Sequence, residues 1–119
     1  MGELNGKILI VEDDALIAML LEDMLSELSY EIAGVAGGVD AAMALAERVA
    51  FDAAILDVSL AGDSSLPVAK LLDEKGKPYI FATGYDSLPE DMAQNGRHVL
   101  QKPYQLDQLQ SALAKLPIN

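Results

Sequence analysis

A chain of 119 residues with 51% hydrophobic content can build one cored domain and not two, and without cysteine it has no disulfide framework or thiolate chemistry. Nineteen acidic residues against eight basic ones give a net charge of -11, which excludes a basic face for nucleic-acid phosphates. No apolar run approaches the ~20 residues of a membrane helix and no basic segment with an apolar stretch opens the chain, so a cytoplasmic location is expected.

Lys7–Val11 (KILIV) reads as an apolar strand, followed at once by Glu12, Asp13 and Asp14. Ala15–Leu28 has apolar residues at Leu16, Met19, Leu20, Met24 and Leu28, close to helical spacing, and acids near its start suit a helix N-terminus. Tyr30–Ala36 is a second strand, broken by Gly37-Gly38, and Ala-rich Asp40–Val49 is a helix. Ala53–Leu56 is the third strand, ending on Asp57. A short apolar run of this kind suits a strand buried on both faces. Ser59–Ser65 is expected to be a loop. Leu66–Lys75 is a helix with Pro67 in its first turn and Gly76 as a stop signal. Pro78–Ala82 is the fourth strand, followed by Thr83-Gly84-Tyr85. Asp86–Asn95, between Gly84 and Gly96 and holding Pro89, predicts one weak helix or a loop. Arg97–Leu100 is the fifth strand, then come Gln101-Lys102-Pro103 and a last helix, Leu106–Leu116.

Five strands alternating with helices imply one parallel sheet covered on both faces. Parallel strands finish on one edge, and ligands of open α/β sheets bind there. Glu12, Asp13, Asp57, Thr83 and Lys102 all follow strands, so they should converge. Carboxylates brought together repel one another unless a cation sits among them. An all-oxygen set with room for water suits Mg²⁺. Beside a cation and an ammonium, Asp57 stays ionised and is a competent nucleophile toward phosphorus, with Lys102 and the Thr83 hydroxyl available to neutralise the equatorial oxygens. Each residue alone has an ordinary structural reading as a helix start, cap, turn or loop residue. Their placement after different strands gives the functional reading its weight.

KILIVEDD, AAILDVSL, FATGY and QKPY, in that order, resemble the receiver domain of bacterial two-component response regulators over the whole chain, 1–119. The resemblance implies a doubly wound, flavodoxin-like α/β fold with strand order 2-1-3-4-5 and a fourth helix that is short or loop-like. It implies Asp57 as phosphoryl acceptor, Glu12, Asp13, Asp57 and the Ser59 carbonyl as Mg²⁺ ligands, Thr83 as switch hydroxyl and Lys102 as phosphate-pairing lysine. Gly84 and Ser59 would offer backbone N–H groups to the phosphoryl oxygens. PYIFATGY is similar to the "FAT GUY" class of receivers, which implies a histidine kinase partner of the HWE or HisKA2 type and a stress-signalling role.

Two departures bear on the readout. Val99 stands where common receivers carry a switching aromatic, which leaves Tyr85 as the candidate for that role. Ser59 and Tyr85 flank the path of attacking water and should influence the lifetime of the phosphoaspartate. The lone His98, inside the fifth strand, reads as structural, and Asp14 either shares the metal or caps the first helix. The expected protein is a monomeric, stand-alone, slowly self-dephosphorylating receiver that signals to a downstream protein or phosphotransferase or drains a shared kinase, with no nucleic acid and no membrane. The alternatives are a phosphorylation-independent binding module of the same fold, a receiver cut from a longer regulator and, last, a small-substrate phosphohydrolase.

Overall fold

Side-chain alternation along strands whose residues are nearly all apolar requires cover on both faces of the sheet. The computed structural model describes residues 5–83, 98–102 and 104–116. The strands β1 (Gly6–Val11), β2 (Tyr30–Ala36), β3 (Ala53–Asp57), β6 (Tyr79–Thr83) and β7 (His98–Gln101) form one parallel sheet in the order β2-β1-β3-β6-β7. Counted as five long strands, this is the expected 2-1-3-4-5 order of a flavodoxin-like fold.

Leu9, Val11, Leu56 and Phe81 turn to one face, where they meet α2 (Val39–Arg48) and α3 (Leu66–Lys75) through Ala42, Ala46, Val68 and Leu72. Their neighbours Ile8, Ile10, Ile55 and Ile80 turn to the other, against Leu21 and Leu25 of α1 (Ala15–Glu27) and Leu109 and Leu113 of α4 (Leu106–Ala114). Phe81, Ile10 and Leu56 are fully buried. Burying one such side chain is worth roughly 1.5–3 kcal/mol. The pattern therefore specifies register strongly, because a one-residue slip would exchange the two faces. The pairing of β1 with β2 shifts by one residue between Ile8 and Leu9, where Ala33 of β2 is passed over. On β2, Gly34 leaves room for α2: a Cβ there would lie 2.8 Å from Leu45 Cδ2.

Three local readings are revised. The Ser59–Ser65 segment is not a plain loop, since β4 (Ser59–Leu60) and β5 (Asp63–Ser64) form a two-residue antiparallel hairpin. The buried stripe of α1 is Ala18, Leu21 and Leu25, while Leu16, Met19 and Leu20 are 65%, 59% and 50% exposed. This helix is apolar on more than one face, so spacing alone did not select the inward one. The last helix ends at Ala114, although Leu116 beyond it still packs into the core. Gly76 ends α3 as expected, at φ +70 in the left-handed region that glycine adopts without a steric penalty. The expectations for Gly84, Tyr85, Asp86–Asn95 and Arg97 fall outside the described residues.

Candidate functional site at the strand ends

Register brings the predicted residues together. Val11 pairs with Leu56, so position 12 lies beside Asp57. Asp57 pairs with Ala82, so Thr83 is one step beyond it, and Thr83 pairs with Gln101. The Lys102 N–H donates to the Thr83 carbonyl at 2.7 Å, which carries the β6–β7 ladder up to the lysine. Glu12, Asp13 and Asp57 each offer an oxygen within 4.8 Å of the others.

The lysine joins two of these acids. Its Nζ is 2.8 Å from Glu12 Oε1 and 3.0 Å from Asp57 Oδ2. The second Glu12 oxygen accepts from the Asp14 N–H at 3.0 Å, and the second Asp57 oxygen accepts from the Ser59 N–H at 3.3 Å. Asp13 Oδ2 accepts from the Ala61 N–H at 3.1 Å. Thr83 is 1% exposed at the end of β6.

The choice for Asp14 is decided by its hydrogen bonds. Its Oδ1 accepts from the Leu16 and Ile17 N–H groups, so it is the N-cap of α1 and not a member of the cluster. His98 lies in β7, as expected, and Val99 there is exposed.

Burial pushes the Glu12 carboxyl above its ordinary value, against the opposing pull of Lys102. Burial alone would lower the Lys102 ammonium, but Glu12 and Asp57 reverse the sign and hold it above the usual lysine value. At Asp13 slight desolvation is outweighed by hydrogen bonds, first that of the Ala61 N–H, and the carboxyl lies below its ordinary value.

Two participants were not singled out from the sequence. Ala61 reaches Asp13 from the hairpin turn; the signal was the Ala61-Gly62 pair in a polar stretch. Tyr104 has a buried hydroxyl without a hydrogen-bond partner among the described residues. Burial, then the charges of Glu12 and Asp57, push that hydroxyl far above the usual tyrosine value, so it stays a neutral donor. With Ile17, Leu20, Met24 and Lys102 it lines a cavity of about 300 Å³ beside the cluster. A tyrosine two residues after a strand-end lysine was the available signal.

Known proteins share both the sequence pattern and the fold. The family profile described as "Response regulator receiver domain" matches residues 8–114. The transcriptional regulatory protein PdtaR of Mycobacterium tuberculosis is 32% identical over 113 residues, covering 90% of this chain and 54% of the relative. The chain thus spans about half the length of the curated relatives it matches. The solution structure of SdrG from Sphingomonas melonis Fr1 superposes with a TM-score of 0.81 at 45% identity, covering 96% of this chain and 97% of that one. The response regulator PhyR from Brucella abortus gives a TM-score of 0.80 at 29% identity, covering 94% of this chain and 47% of that one. With the acids, the lysine and the sheet edge in one place, and the profile matched over both sheet faces, the chain belongs to the response regulator receiver domain family of two-component signalling.

Proposed function

We propose that this receiver accepts a phosphoryl group on Asp57 from the phosphohistidine of a histidine kinase, in a Mg²⁺-dependent reaction. The observation that carries the reading is the bridge of Lys102 between Glu12 and Asp57 within a trio of converging carboxylates. Three hard oxygen donors at the strand ends, the exposed Asp13 among them, fit Mg²⁺, which takes few protein carboxylates and keeps several waters. Glu12, Asp13, Asp57 and the Ser59 carbonyl would hold the ion. Bound there, Mg²⁺ supplies neutralisation of the phosphoryl oxygens.

The chain's own residues do the rest. An Asp57 carboxylate oxygen attacks phosphorus, forming a P–O bond as the P–N bond to the donor histidine breaks and its electron pair returns to the imidazole. Lys102 is placed to follow the charge that develops on the phosphoryl oxygens. The Thr83 hydroxyl bonds the transferred group. Because the Thr83 carbonyl holds the Lys102 N–H, a shift at either residue is felt at the other. The added charge biases this edge between two states, and a downstream protein or a shared kinase reads the change in the cytoplasm.

A protein donor must touch the surface around Asp57. Leu16 and Leu20 are exposed on α1, and Leu20 also lines the cavity shared with Lys102 and Tyr104. An apolar patch continuous with the site suits a protein partner. Replacing both, Leu16→Glu with Leu20→Glu, should slow transfer from the kinase roughly tenfold and leave transfer from acetyl phosphate unchanged. Equal slowing with both donors would remove the patch from the docking surface.

The reading itself is tested by incubating the protein with acetyl phosphate or a phosphorylated kinase, with Mg²⁺ or with EDTA. An acid-stable, base-labile adduct should form with the metal only. Absence of the adduct, or its formation in EDTA, overturns the mechanism.

A further inference from the structure

The β4–β5 hairpin reaches the cluster at Asp13 and Asp57, sharing Asp57 with Lys102. Its ladder, Ser59 with Ser64 and Leu60 with Asp63, leaves Ala61-Gly62 as a two-residue turn. Both turn residues have positive φ, +51 at Ala61 and +91 at Gly62, as tight hairpins with right-handed strand twist require. Glycine takes this conformation freely. Alanine takes it against its own Cβ.

The hairpin is braced at both ends. Leu60 is buried in the core beside Val58. The Ser65 hydroxyl and N–H both donate to the Val58 carbonyl, at 3.1 and 3.0 Å. A strained residue fixed by its surroundings next to a reactive group points to a role for that conformation. At the turn the Ala61 N–H meets Asp13 Oδ2 at 3.1 Å, 48 residues distant in sequence, and at the hairpin's start the Ser59 N–H meets Asp57 Oδ1 at 3.3 Å. One hairpin therefore contacts two of the three carboxylates, while Lys102 joins Glu12 to Asp57.

We propose that Ala61 is a positioning residue: through its backbone N–H the hairpin turn holds the Asp13 carboxylate toward Glu12 and Asp57 and so sets the divalent-cation affinity of the site. This rests on the cation-dependent reading of the cluster. Coupling of this kind is reciprocal, so a cation bound at Asp13 stabilises the hairpin in turn. The hairpin leads directly into α3 through Ser65, and its buried Leu60 packs in the same core face as α3.

The test uses the full chain with the Ala61 amide replaced by an ester, which keeps Cα and the methyl group and removes only the N–H. Mg²⁺ is titrated without any phosphoryl donor and followed by amide chemical shifts. The dissociation constant should rise roughly three- to tenfold in the ester variant. In Ala61→Gly, which keeps the N–H, it should stay within about twofold of wild type. Independently, hydrogen exchange at residues 59–64 of the wild type should slow on saturation with Mg²⁺. An ester variant with wild-type affinity, an Ala61→Gly variant as weak as the ester, or exchange indifferent to Mg²⁺ each overturns the positioning role and leaves the acceptor chemistry of Asp57 standing. A wild type that binds no Mg²⁺ overturns the cation-dependent reading itself.

Discussion

Asp57→Asn should eliminate the phosphoryl adduct while leaving the fold intact. The asparagine amide has no carboxylate oxygen to attack phosphorus, and no other described carboxylate combines the same strand-end position with the lysine and the Ser59 N–H. The loss should exceed a thousandfold, because the reaction then lacks its nucleophile rather than a supporting contact. The amide oxygen still accepts from the Ser59 N–H, and Lys102 keeps Glu12. One negative charge leaves a crowded cluster as one partner of the lysine is lost. These effects oppose each other, and the change in unfolding free energy should stay within about 1 kcal/mol. Acid-quenched intact mass reports the adduct and urea unfolding reports stability. An undiminished adduct in Asp57→Asn would place the acceptor elsewhere.

Lys102→Met should damage both chemistry and stability. Phosphoryl transfer should fall roughly 10²–10³-fold, the usual effect of removing one donor aimed at developing charge. Without divalent cation at pH 7 the variant should lose about 1–3 kcal/mol, because the Glu12 side chain, 3% exposed, is left with its charge uncompensated. The loss depends on pH with a definite sign. Burial already raises the Glu12 carboxyl, and Lys102 is the main influence lowering it. Its removal moves Glu12 further up. A folded-state value above the unfolded one means that the folded chain binds the proton first. The variant therefore regains stability as pH falls through the raised Glu12 value toward the unfolded value of 4.5. In the wild type the lysine's contribution is complete below its unfolded value of 10.5 and is lost only as pH rises through its raised folded value, so it is intact throughout this window. The gap between the two proteins should narrow as pH falls from 7 toward 4.5 in urea titrations. A constant gap would show that Glu12 is not the group left uncompensated.

The strands and the convergence of their ends were legible because burial on both faces demands continuous apolar runs, and an acid that breaks such a run marks the strand's end. KILIV before Glu12 and AAIL before Asp57 carry that signal by themselves, and register does the rest. The hairpin was hidden, since two-residue strands made from Ser59, Leu60, Asp63 and Ser64 are too short for any period to show. Its single apolar anchor, Leu60, looks like an ordinary loop leucine. The inward face of α1 was hidden for the opposite reason. Leu16, Met19 and Leu20 are as apolar as Leu21 and Leu25, and only the tertiary contacts separate them. Asp14 was ambiguous because three consecutive acids serve equally well as cap or ligand until the N–H groups of Leu16 and Ile17 choose one. The position of Tyr104, two residues after Lys102, was visible in the sequence, but the isolation of its hydroxyl was not, because that results from packing around it.

Counted formally, the carboxylates of Glu12, Asp13 and Asp57 against the Lys102 ammonium leave a residue of two negative charges. That residue equals the valence of a single alkaline-earth ion. A monovalent ion such as K⁺ leaves one charge over, and a trivalent ion overshoots by one. On the proposed cation-dependent reading, the lysine that joins two of the acids therefore also sets which valence brings the pocket to formal neutrality.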